Sequence, residues 1–552
     1  ATPTQVLLGE LPSRTPRNPS DLPSFVAVEE RARMAAHPRI DMSTMTGAGH
    51  GLLGSVPRAM AAAIHEAARR ASARHDFEVS KLDEPLREGA APNAARLTYW
   101  GDEADTFYRG YLARSPGARI AAAGGEGPCD LLVLGAAPPH AVLAELVERL
   151  SPDGRVVVRW RPSAATLADP PRLAELGLVD DGPVEPGGPA IRRFGRSPRA
   201  RPRLFVQLSA FAPTLMDVRT RLPAQHLKAD ADLQVRYQPP PLAVPAVAPD
   251  RPKVLILQRP SERRLDAWRD SMTALVDAGW IVVLEFDDHP NLNQVSSGDG
   301  GEAEGLADSS AMAPFACVHA VQTSTPELAD AFRAWNPEVA LFPNAVFELQ
   351  PFPERAPPRR VFYGALTRGP FAVAMAHALA PFTARHPDVV FDVVGDPEVF
   401  AALPTRSKTL HDYMSYERYL DLLGQAAVSL SPLEPGAWRE SKSDAKYLDA
   451  ARAGTPIIAS PTAYHRTIRH EWNGFIAGEL GDWPALLSRG FEEPQRLVAA
   501  GRRAWEDVRD HRMFAAQIRV RRDWYWNLWE RRRELTDAVK RRLQAHGPRP
   551  PA

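Results

Sequence analysis

The sequence predicts an α/β protein in which two doubly wound parallel units follow one another and a further α/β domain precedes them. Short apolar runs ending in glycine, proline or hydroxyl residues alternate with amphipathic stretches, and this pattern occurs twice, over residues 204–345 and 360–490. A chain of 552 residues is also too long for one hydrophobic core, because single cores stop growing near about 250–300 residues. We therefore expect at least three folded regions.

The region before the tandem units is expected to contain an arm and one domain. Residues 1–35 are polar and punctuated by proline, which predicts an extended arm, and residues 36–198 form the additional domain. Within that domain, a buried strand at 130–135, a helix and a second strand at 155–160 predict a strand–helix–strand unit of a parallel sheet. The stretch 182–202, rich in proline, glycine and arginine, is predicted to be a linker.

Each tandem unit contributes four clear strands, and the chain then ends in long helices. The first unit occupies residues 199–350, the second occupies 351–490, and the terminal helices occupy 491–552. In chain order, the predicted strands are 204–208, 253–257, 280–286, 317–322, 360–364, 389–395, 427–431 and 456–460.

Bulk composition argues against several classes of protein. The 67 Lys and Arg residues balance 67 Asp and Glu residues, so no net field draws the chain to nucleic acid or to an anionic membrane. No run of about 20 apolar residues is present, and we recognise no signal peptide. Cys129 and Cys317 both lie in apolar runs and are expected to be unpaired core thiols rather than a disulfide or a metal site. We therefore expect a cytoplasmic protein with no nucleic-acid partner.

The segment with the most candidate ligand-binding side chains lies late in the second unit, at residues 440–449. Helical spacing is expected to place Lys442, Lys446 and Asp449 on one face of a helix that begins within residues 441–443. The two ammonium groups and the helix amino end would then point to the carboxyl edge of a parallel sheet and favour a phosphate there. Asp449, one turn deeper, is placed to accept hydrogen bonds from ribose hydroxyls. The alternative is a solvated charged face without a ligand.

This segment resembles the donor-binding signature of the group 1 (family 4) glycosyltransferases with the GT-B fold. It has the pattern Lys-Ser-x-x-Lys-x-x-acid, followed by Ala-Gly-Thr-Pro and the strand Ile-Ile-Ala-Ser. The resemblance covers roughly residues 204–530 and departs from the family at Asp449, where the family usually has glutamate. Further pieces that occur in the family's order are Gln322-Thr323-Ser324-Thr325-Pro326, Pro343-Asn344, Tyr363-Gly364 with Arg368, and Asn473-Gly474.

The resemblance implies a GT-B architecture of two Rossmann-like domains and a glycosyltransferase of the hexosyltransferase type. It implies a nucleotide-diphosphate sugar as donor, retention of anomeric configuration, and no required cofactor or metal. Cationic groups, Lys446 among them, would act in catalysis by stabilising the charge on the departing diphosphate. The donor-binding residues implied are Gly364, Arg368, Lys442, Ser443, Lys446 and Asp449.

The acceptor implied by the resemblance is a glycan, a lipid-linked molecule or a protein. Such acceptors are typical of bacterial cell-surface polysaccharide synthesis and of protein glycosylation. A second function class stays open beside the enzyme: a non-catalytic scaffold or binding protein whose Rossmann-like domains are degenerate.

Residues 285–289, at the end of a strand in the first unit, carry the second candidate cluster. Asp287, Asp288 and His289 are expected to orient or deprotonate an acceptor hydroxyl. Adjacent acids also suggest a metal site, although two neighbouring carboxylates are weak evidence, and they are equally able to cap the next turn.

Arg219 and Arg221 precede a Leu-Pro pair after the first strand of that unit. They resemble a recurrent Arg–Pro segment of related transferases and are expected to face an anionic acceptor. Plain surface arginines are the alternative.

The 36–198 domain resembles the later half of the class I methyltransferases over residues 130–160, including a Ser-Pro-Asp-Gly turn. The glycine-rich cofactor loop of that family is not recognisable, because the glycines at 124–127 do not follow a strand in the right place. We therefore expect a degenerate domain that serves docking or acceptor presentation.

The chain ends in a basic amphipathic helix that has two interpretations. The family's terminal helices pack across both halves of the fold, which is the favoured interpretation here. Peripheral contact with the inner face of an anionic membrane is the alternative. The apolar residues of this helix are Trp524, Leu528, Leu535, Val539 and Leu543.

Overall fold

A computed structural model of the 552-residue chain shows two compact units. The first comprises residues 1–85 and 105–107, and the second comprises 86–104 and 108–552. The residues that the structure describes are 4–9, 40–45, 90, 96–101, 104–125, 127–136, 138–159, 170–184, 191–196, 202–211, 217–260, 265–290, 309–353, 358–366 and 368–545.

The first unit contains a two-stranded parallel sheet formed by β1 (Thr4–Gly9) and β2 (Ile40–Met45). The remainder of the predicted arm at 1–35 lies outside the described residues, so the arm stays a prediction.

Sheet A, the first sheet of the second unit, has six strands in the order β4-β3-β5-β6-β8-β7. All neighbours run parallel except β8, which is antiparallel to both β6 and β7. The predicted strand–helix–strand unit is confirmed, since β5 and β6 pair in parallel and a helix connects them. The elements are β3 (Arg96–Trp100), α1 (Ala104–Arg114), β4 (Arg119–Ile120), β5 (Cys129–Leu134), α2 (His140–Glu148), β6 (Leu150–Arg159), α3 (Pro170–Glu175), β7 (Val179–Pro183) and β8 (Ile191–Gly195).

The predicted linker at 182–202 is wrong at residues 182–183 and 191–195, which lie in strands. β8 lies inside that stretch, and β7 ends inside it, so both belong to sheet A. Arg193 on β8 is buried, and its guanidinium donates hydrogen bonds to the backbone carbonyls of Lys228 and Asp230. Arg193, which lies in a stretch with the composition of a linker, therefore holds sheet A against the following domain.

The strand order of sheet A reverses between β3 and β5, the place where open α/β sheets bind ligands. There the buried Tyr99 lies over two glycines: a Cβ added to Gly101 or Gly135 would come within 3.0 Å of its hydroxyl oxygen. The tyrosine thus fills space beside both strand ends. The methyltransferase resemblance of this domain and its degenerate state stay predictions.

Sheet B has six parallel strands in the order β10-β9-β11-β12-β13-β14. Its central strands are buried on both faces, which explains their continuous apolar runs. A π-helical turn at Asp217–Arg221 follows β9. The other elements are β9 (Leu204–Ala210), α4 (Leu222–Leu227), β10 (Leu233–Gln238), β11 (Lys253–Gln258), α5 (Leu265–Asp277), β12 (Ile281–Phe286), α6 (Ser309–Ala316), β13 (Ala320–Thr323), α7 (Pro326–Arg333) and β14 (Val339–Leu341).

Sheet C has six parallel strands in the order β17-β16-β15-β18-β19-β20. Two of its helices begin at side-chain caps, because Asp396 accepts from the amide of Val399 and Ser415 accepts from that of Arg418. The elements are β15 (Arg360–Gly364), α8 (Pro370–Ala378), α9 (Ala380–Arg385), β16 (Val390–Val394), α10 (Pro397–Ala402), β17 (Lys408–His411), α11 (Tyr416–Leu423), β18 (Val428–Ser431), α12 (Ala437–Glu440), α13 (Ala445–Arg452), β19 (Ile457–Ala459) and β20 (Phe475–Ile476).

The fold class is confirmed: two Rossmann-like parallel sheets in tandem give a GT-B architecture, and an additional α/β sheet precedes them. The three sheets lie within the predicted ranges 36–198, 199–350 and 351–490. Those boundaries themselves stay predictions.

The terminal helices contact the domains of both sheet B and sheet C. α15 packs on α13 through Ala504 and Val508, and α17 buries Val539 and Leu543 against the core of the sheet B domain. The apolar side of the last helix is thus occupied by the protein itself. None of the described helices is both long and apolar enough to cross a bilayer. The helices are α14 (Asp482–Glu492), α15 (Pro494–His511), α16 (Ala515–Glu530) and α17 (Arg532–Ala545).

The crossover from sheet B to sheet C is held by the sheet A domain and by the turn between α15 and α16. The amide of Leu349 donates to the carbonyl of Ala113 over 2.7 Å, and Arg114 forms an ion pair with Glu348 at 2.8 Å. On the other side, the amide of Val346 donates to the carbonyl of Arg512 over 2.8 Å. Three parts of the chain therefore meet at this segment.

Candidate active site

The carboxyl edges of sheets B and C meet, and the predicted site residues come from the loops that follow their strands. In sheet C the strand order reverses between β15 and β18, and in sheet B it reverses between β9 and β11. Ligands of open α/β sheets bind beyond the strand ends at such reversals. We call this region the interdomain site; it comprises Arg259, 287–289, 364–366, Arg368 and 441–449.

The two lysines of the signature face the interdomain site, but they do not share a helix. α13 begins at Ala445, close to the predicted start near Ser443, but Lys442 precedes it and only Lys446 lies on it, so the predicted shared helical face is wrong. The residue before the helix, Asp444, accepts two hydrogen bonds from Arg512, at 2.7 and 3.0 Å. Tertiary contacts rather than helical geometry therefore position Lys442.

Lys446 is half-buried beneath the end of β15. Its ammonium group donates a hydrogen bond to the carbonyl of Gly364 and lies 5.7 Å from the ring centroid of Tyr419. Burial and, next, the charge of Arg368 lower the pKa of Lys446 to about 7, while Asp449 acts in the opposite direction. Keeping this buried ammonium group protonated therefore costs free energy unless an anion lies beside it.

Arg368 is a second half-buried cation of the same loop. Its backbone amide donates to Asp396 over 3.2 Å, and Asp396 also accepts from the hydroxyl of Tyr363 over 2.9 Å. In the part of the chain that the structure describes, no carboxylate forms an ion pair with the Arg368 guanidinium. The loop is therefore fixed by its backbone, and the guanidinium keeps its charge for an anion.

Asp449 is engaged by the protein. One carboxylate oxygen accepts a hydrogen bond from the hydroxyl of Tyr416. Burial raises the pKa of Asp449, against the opposing effects of Tyr416 and Lys446.

An ion-pair chain joins sheet B to sheet C across the interdomain site. The ammonium of Lys442 contacts Oδ1 of Asp288 at 2.9 Å, and Arg259 contacts Oδ2 of Asp288 at 2.8 Å. Arg259 also contacts Asp287 at 2.7 Å. Burial alone would raise the pKa of Asp288, but Arg259 and Lys442 outweigh it and hold this pKa below its usual value.

Arg259 was missed by the sequence analysis. It directly follows β11, one strand away from Asp287, and its backbone is left-handed with φ of 45°. A non-glycine residue in this region carries backbone strain, which the surrounding contacts must hold in place. Its position immediately after a predicted strand was the available signal.

His289 is buried beside these acids, and burial lowers its pKa to about 4. The imidazole is therefore neutral at physiological pH and adds no charge to the site. Asp288, with a lowered pKa, is a weak proton acceptor. The arrangement is thus suited to orienting a hydroxyl and stabilising positive charge more than to removing a proton.

Arg219 does not lie on the surface of the interdomain site. Its side chain is 2% exposed and pairs with the fully buried Glu285 at 2.6 Å. It also donates to the carbonyl of Phe342 and to Oδ1 of Asn344, over 3.1 and 2.8 Å. The amide of Asn344 in turn donates to Ser443 over 2.8 Å. Asn344, on the crossover, therefore links Arg219 to Ser443. These contacts hold the crossover segment in position.

Arg221 lies farther out and is half-buried. It pairs with Asp217 one turn earlier and, at 3.2 Å, with Glu417 of the sheet C domain. It therefore bridges the two domains at their rim. The structure does not bring Arg219 and Arg221 together as one acceptor surface.

The described residues contain no group of three or more His, Cys, Asp and Glu side chains arranged to hold a metal ion. Both cysteines are buried and free. Positive charge at the interdomain site comes from Lys442, Lys446, Arg259 and Arg368.

We expect a nucleoside diphosphate to bind with uptake of protons at about pH 8. With a pKa of about 7, Lys446 is mostly neutral there, and a phosphate placed against it raises that pKa toward the ordinary lysine value of about 10.4. Calorimetric titrations in buffers of different ionisation enthalpy measure the uptake. Lys446→Arg is the control, because a guanidinium stays protonated in both states and the uptake should disappear. Equal proton uptake in both proteins would contradict the assignment to Lys446.

No protein-family model matches the sequence, and no curated protein matches it. Among solved structures, the chain is similar to S. aureus TarM, crystallised with fondaparinux, alpha-GlcNAc-glycerol and UDP: 11% identity over 50% of this chain and 55% of TarM, with a TM-score of 0.37. The pneumococcal O-GlcNAc transferase GtfA, in complex with UDP and GlcNAc, is 13% identical over 52% of this chain and 57% of its own, with a TM-score of 0.37. Anabaena HepE, in complex with UDP and glucose, is 12% identical over 58% of this chain and 98% of its own, with a TM-score of 0.40. The chain thus spans little more than half the length of TarM and of GtfA.

Proposed function

We propose that the chain is a glycosyltransferase that moves a hexose from a nucleotide-diphosphate sugar to a glycan, lipid-linked or protein acceptor. The observation that carries this proposal is the gathering of Lys442, Lys446 and Arg368 where the strand order of sheet C reverses, opposite Asp288 of sheet B. Three cations at a strand-end crevice suit a ligand with several negative charges.

The chemistry follows from the charges. Cleavage of the sugar–phosphate bond leaves negative charge on the diphosphate, which Lys446, Lys442 and Arg368 stabilise. Asp288 and the neutral His289 lie on the acceptor side, where Asp288 orients the attacking hydroxyl. As the new glycosidic bond forms, the proton of this hydroxyl passes to the departing diphosphate oxygen. These cations supply the charge neutralisation, so the proposed reaction needs no metal. Retention of anomeric configuration is proposed on the family resemblance alone.

A thermal-shift screen with uridine, guanosine, adenosine and thymidine diphosphates and their sugars tests the proposal. We expect one base to raise the melting temperature, because a ligand that binds only the folded state stabilises it by mass action. The matching nucleoside monophosphate should act more weakly, since it brings fewer charges to the three cations. A protein that responds to none of these ligands would favour the scaffold interpretation.

A further inference from the structure

In the proposed function Lys442 binds the diphosphate of the donor. In this structure, however, its ammonium group forms an ion pair with Asp288. Lys442 Nζ lies 2.9 Å from Asp288 Oδ1, whereas the other oxygen of Asp288 is held by Arg259 at 2.8 Å. Each carboxylate oxygen thus has its own cation. One of those cations belongs to sheet C and the other to sheet B.

We propose that the donor's diphosphate displaces Asp288 from Lys442, so that donor binding frees Oδ1 of Asp288 for the acceptor hydroxyl. This inference rests on the proposed function of the same site. It assigns two further roles: Arg259 becomes a positioning residue that keeps Asp288 in place, and the enzyme binds its donor before its acceptor.

Charge explains why the two anions compete. A diphosphate that reaches Lys442 comes close to the Asp288 carboxylate, and like charges at such distances repel strongly in a partly buried site. Lys446 and Arg368 lie on the sheet C side and draw the diphosphate away from Asp288. Lys442, on the irregular segment before α13, is the cation between the two anions.

Arg259 explains why Asp288 does not follow Lys442. It holds Oδ2 of Asp288 and also pairs with Asp287 at 2.7 Å. The backbone of Arg259, at the end of β11, is left-handed with φ of 45°, which carries strain. The two ion pairs of its side chain help to keep this conformation. Asp288 therefore stays charged and fixed on sheet B after Lys442 has turned to the diphosphate.

The test measures the affinity for the nucleoside diphosphate selected in the screen, by isothermal titration of the full chain. We expect Asp288→Asn to bind it about two- to fivefold more tightly than the parent, which is the size expected for losing one partly exposed competing ion pair. Asp277→Asn is the matched control: it removes a carboxylate that pairs with a lysine, Lys540, at 2.9 Å outside the interdomain site, and its affinity should equal that of the parent. In a Lys442→Gln background, Asp288→Asn should bring a smaller gain, because only the direct repulsion between Asp288 and the diphosphate is then relieved.

Unchanged or weaker diphosphate binding by Asp288→Asn would overturn the exchange. So would an equal gain in the Lys442→Gln background, because the effect would then not pass through Lys442. If Asp288→Asn does not fold, Asp288→Ser removes the same charge and takes its place. Loss of diphosphate binding in Lys446→Ala, with no gain in Asp288→Asn, would leave the proposed function standing and reject only the exchange. A parent protein that binds no nucleoside diphosphate would reject both.

Discussion

Replacing Lys446 by alanine should lower the turnover of the nucleotide sugar by about 10²–10³-fold, the usual loss when one group that stabilises developing negative charge is removed. The ammonium of Lys446 lies under the end of β15, where the proposed function requires the diphosphate to bind, and it donates to the carbonyl of Gly364. Release of nucleoside diphosphate from the donor identified in the screen measures this loss.

The fold should survive Lys446→Ala, because the ammonium group is held mainly by one backbone carbonyl and its burial already disfavours the charge. Circular dichroism and the melting temperature of the variant check this. Lys540→Ala is the control, since Lys540 is a surface lysine that pairs with Asp277 at 2.9 Å outside the interdomain site. Turnover by Lys446→Ala at the parental rate would rule out the donor-site assignment.

The strands of the tandem units could be predicted because parallel sheets covered on both faces need continuous apolar runs. The predicted strands at 253–257 and 280–286 are confirmed as Lys253–Gln258 and Ile281–Phe286, and all their residues except Phe286 are buried. The location of the candidate site was predicted from the same rule, because ligands of open α/β sheets bind beyond the strand ends; it stays a prediction.

The surroundings of the start of α13 could not be predicted from the local sequence. Asp444, the residue before the helix, pairs with Arg512 at 2.7 Å, a contact across 68 residues that no local pattern shows. Helical spacing placed Lys442 and Lys446 on one face, and they do face one site, but a tertiary ion pair rather than a helix brings Lys442 there.

The roles of individual arginines could not be predicted from the sequence either. Arg193 lies in a stretch with linker composition, yet it is buried and bonds to carbonyls 35 and 37 residues later. Arg219 was expected at an acceptor surface, yet its partner Glu285 is 66 residues away and fully buried. Local composition shows the charge of an arginine, whereas its function depends on partners that only the folded chain provides.

Arg219→Ala should destabilise the protein by about 3–5 kcal/mol, the cost of leaving one member of a buried ion pair without its partner. Glu285 is fully buried, and without Arg219 it retains the side-chain amide of Gln322 as a hydrogen-bond donor. For a domain of this size the loss corresponds to a drop in melting temperature on the order of 10 °C. Arg221→Ala is the matched control: its partners Asp217 and Glu417 are partly exposed, and such pairs contribute about 0–1 kcal/mol.

The loss should also grow with pH. Burial raises the pKa of Glu285 even in the parent, and removing the opposing charge of Arg219 raises it further. The folded variant then holds a proton that the unfolded chain releases above its ordinary pKa of about 4.3, so its stability falls as pH rises above that value. Melting curves of Arg219→Ala at about pH 5.5 and pH 8 should therefore differ more than those of the parent.

Replacing both members, as Arg219→Met with Glu285→Leu, should recover much of the loss because no buried charge is left unpaired. An Arg219→Ala protein that melts with the parent at both pH values would show that Glu285 does not depend on Arg219.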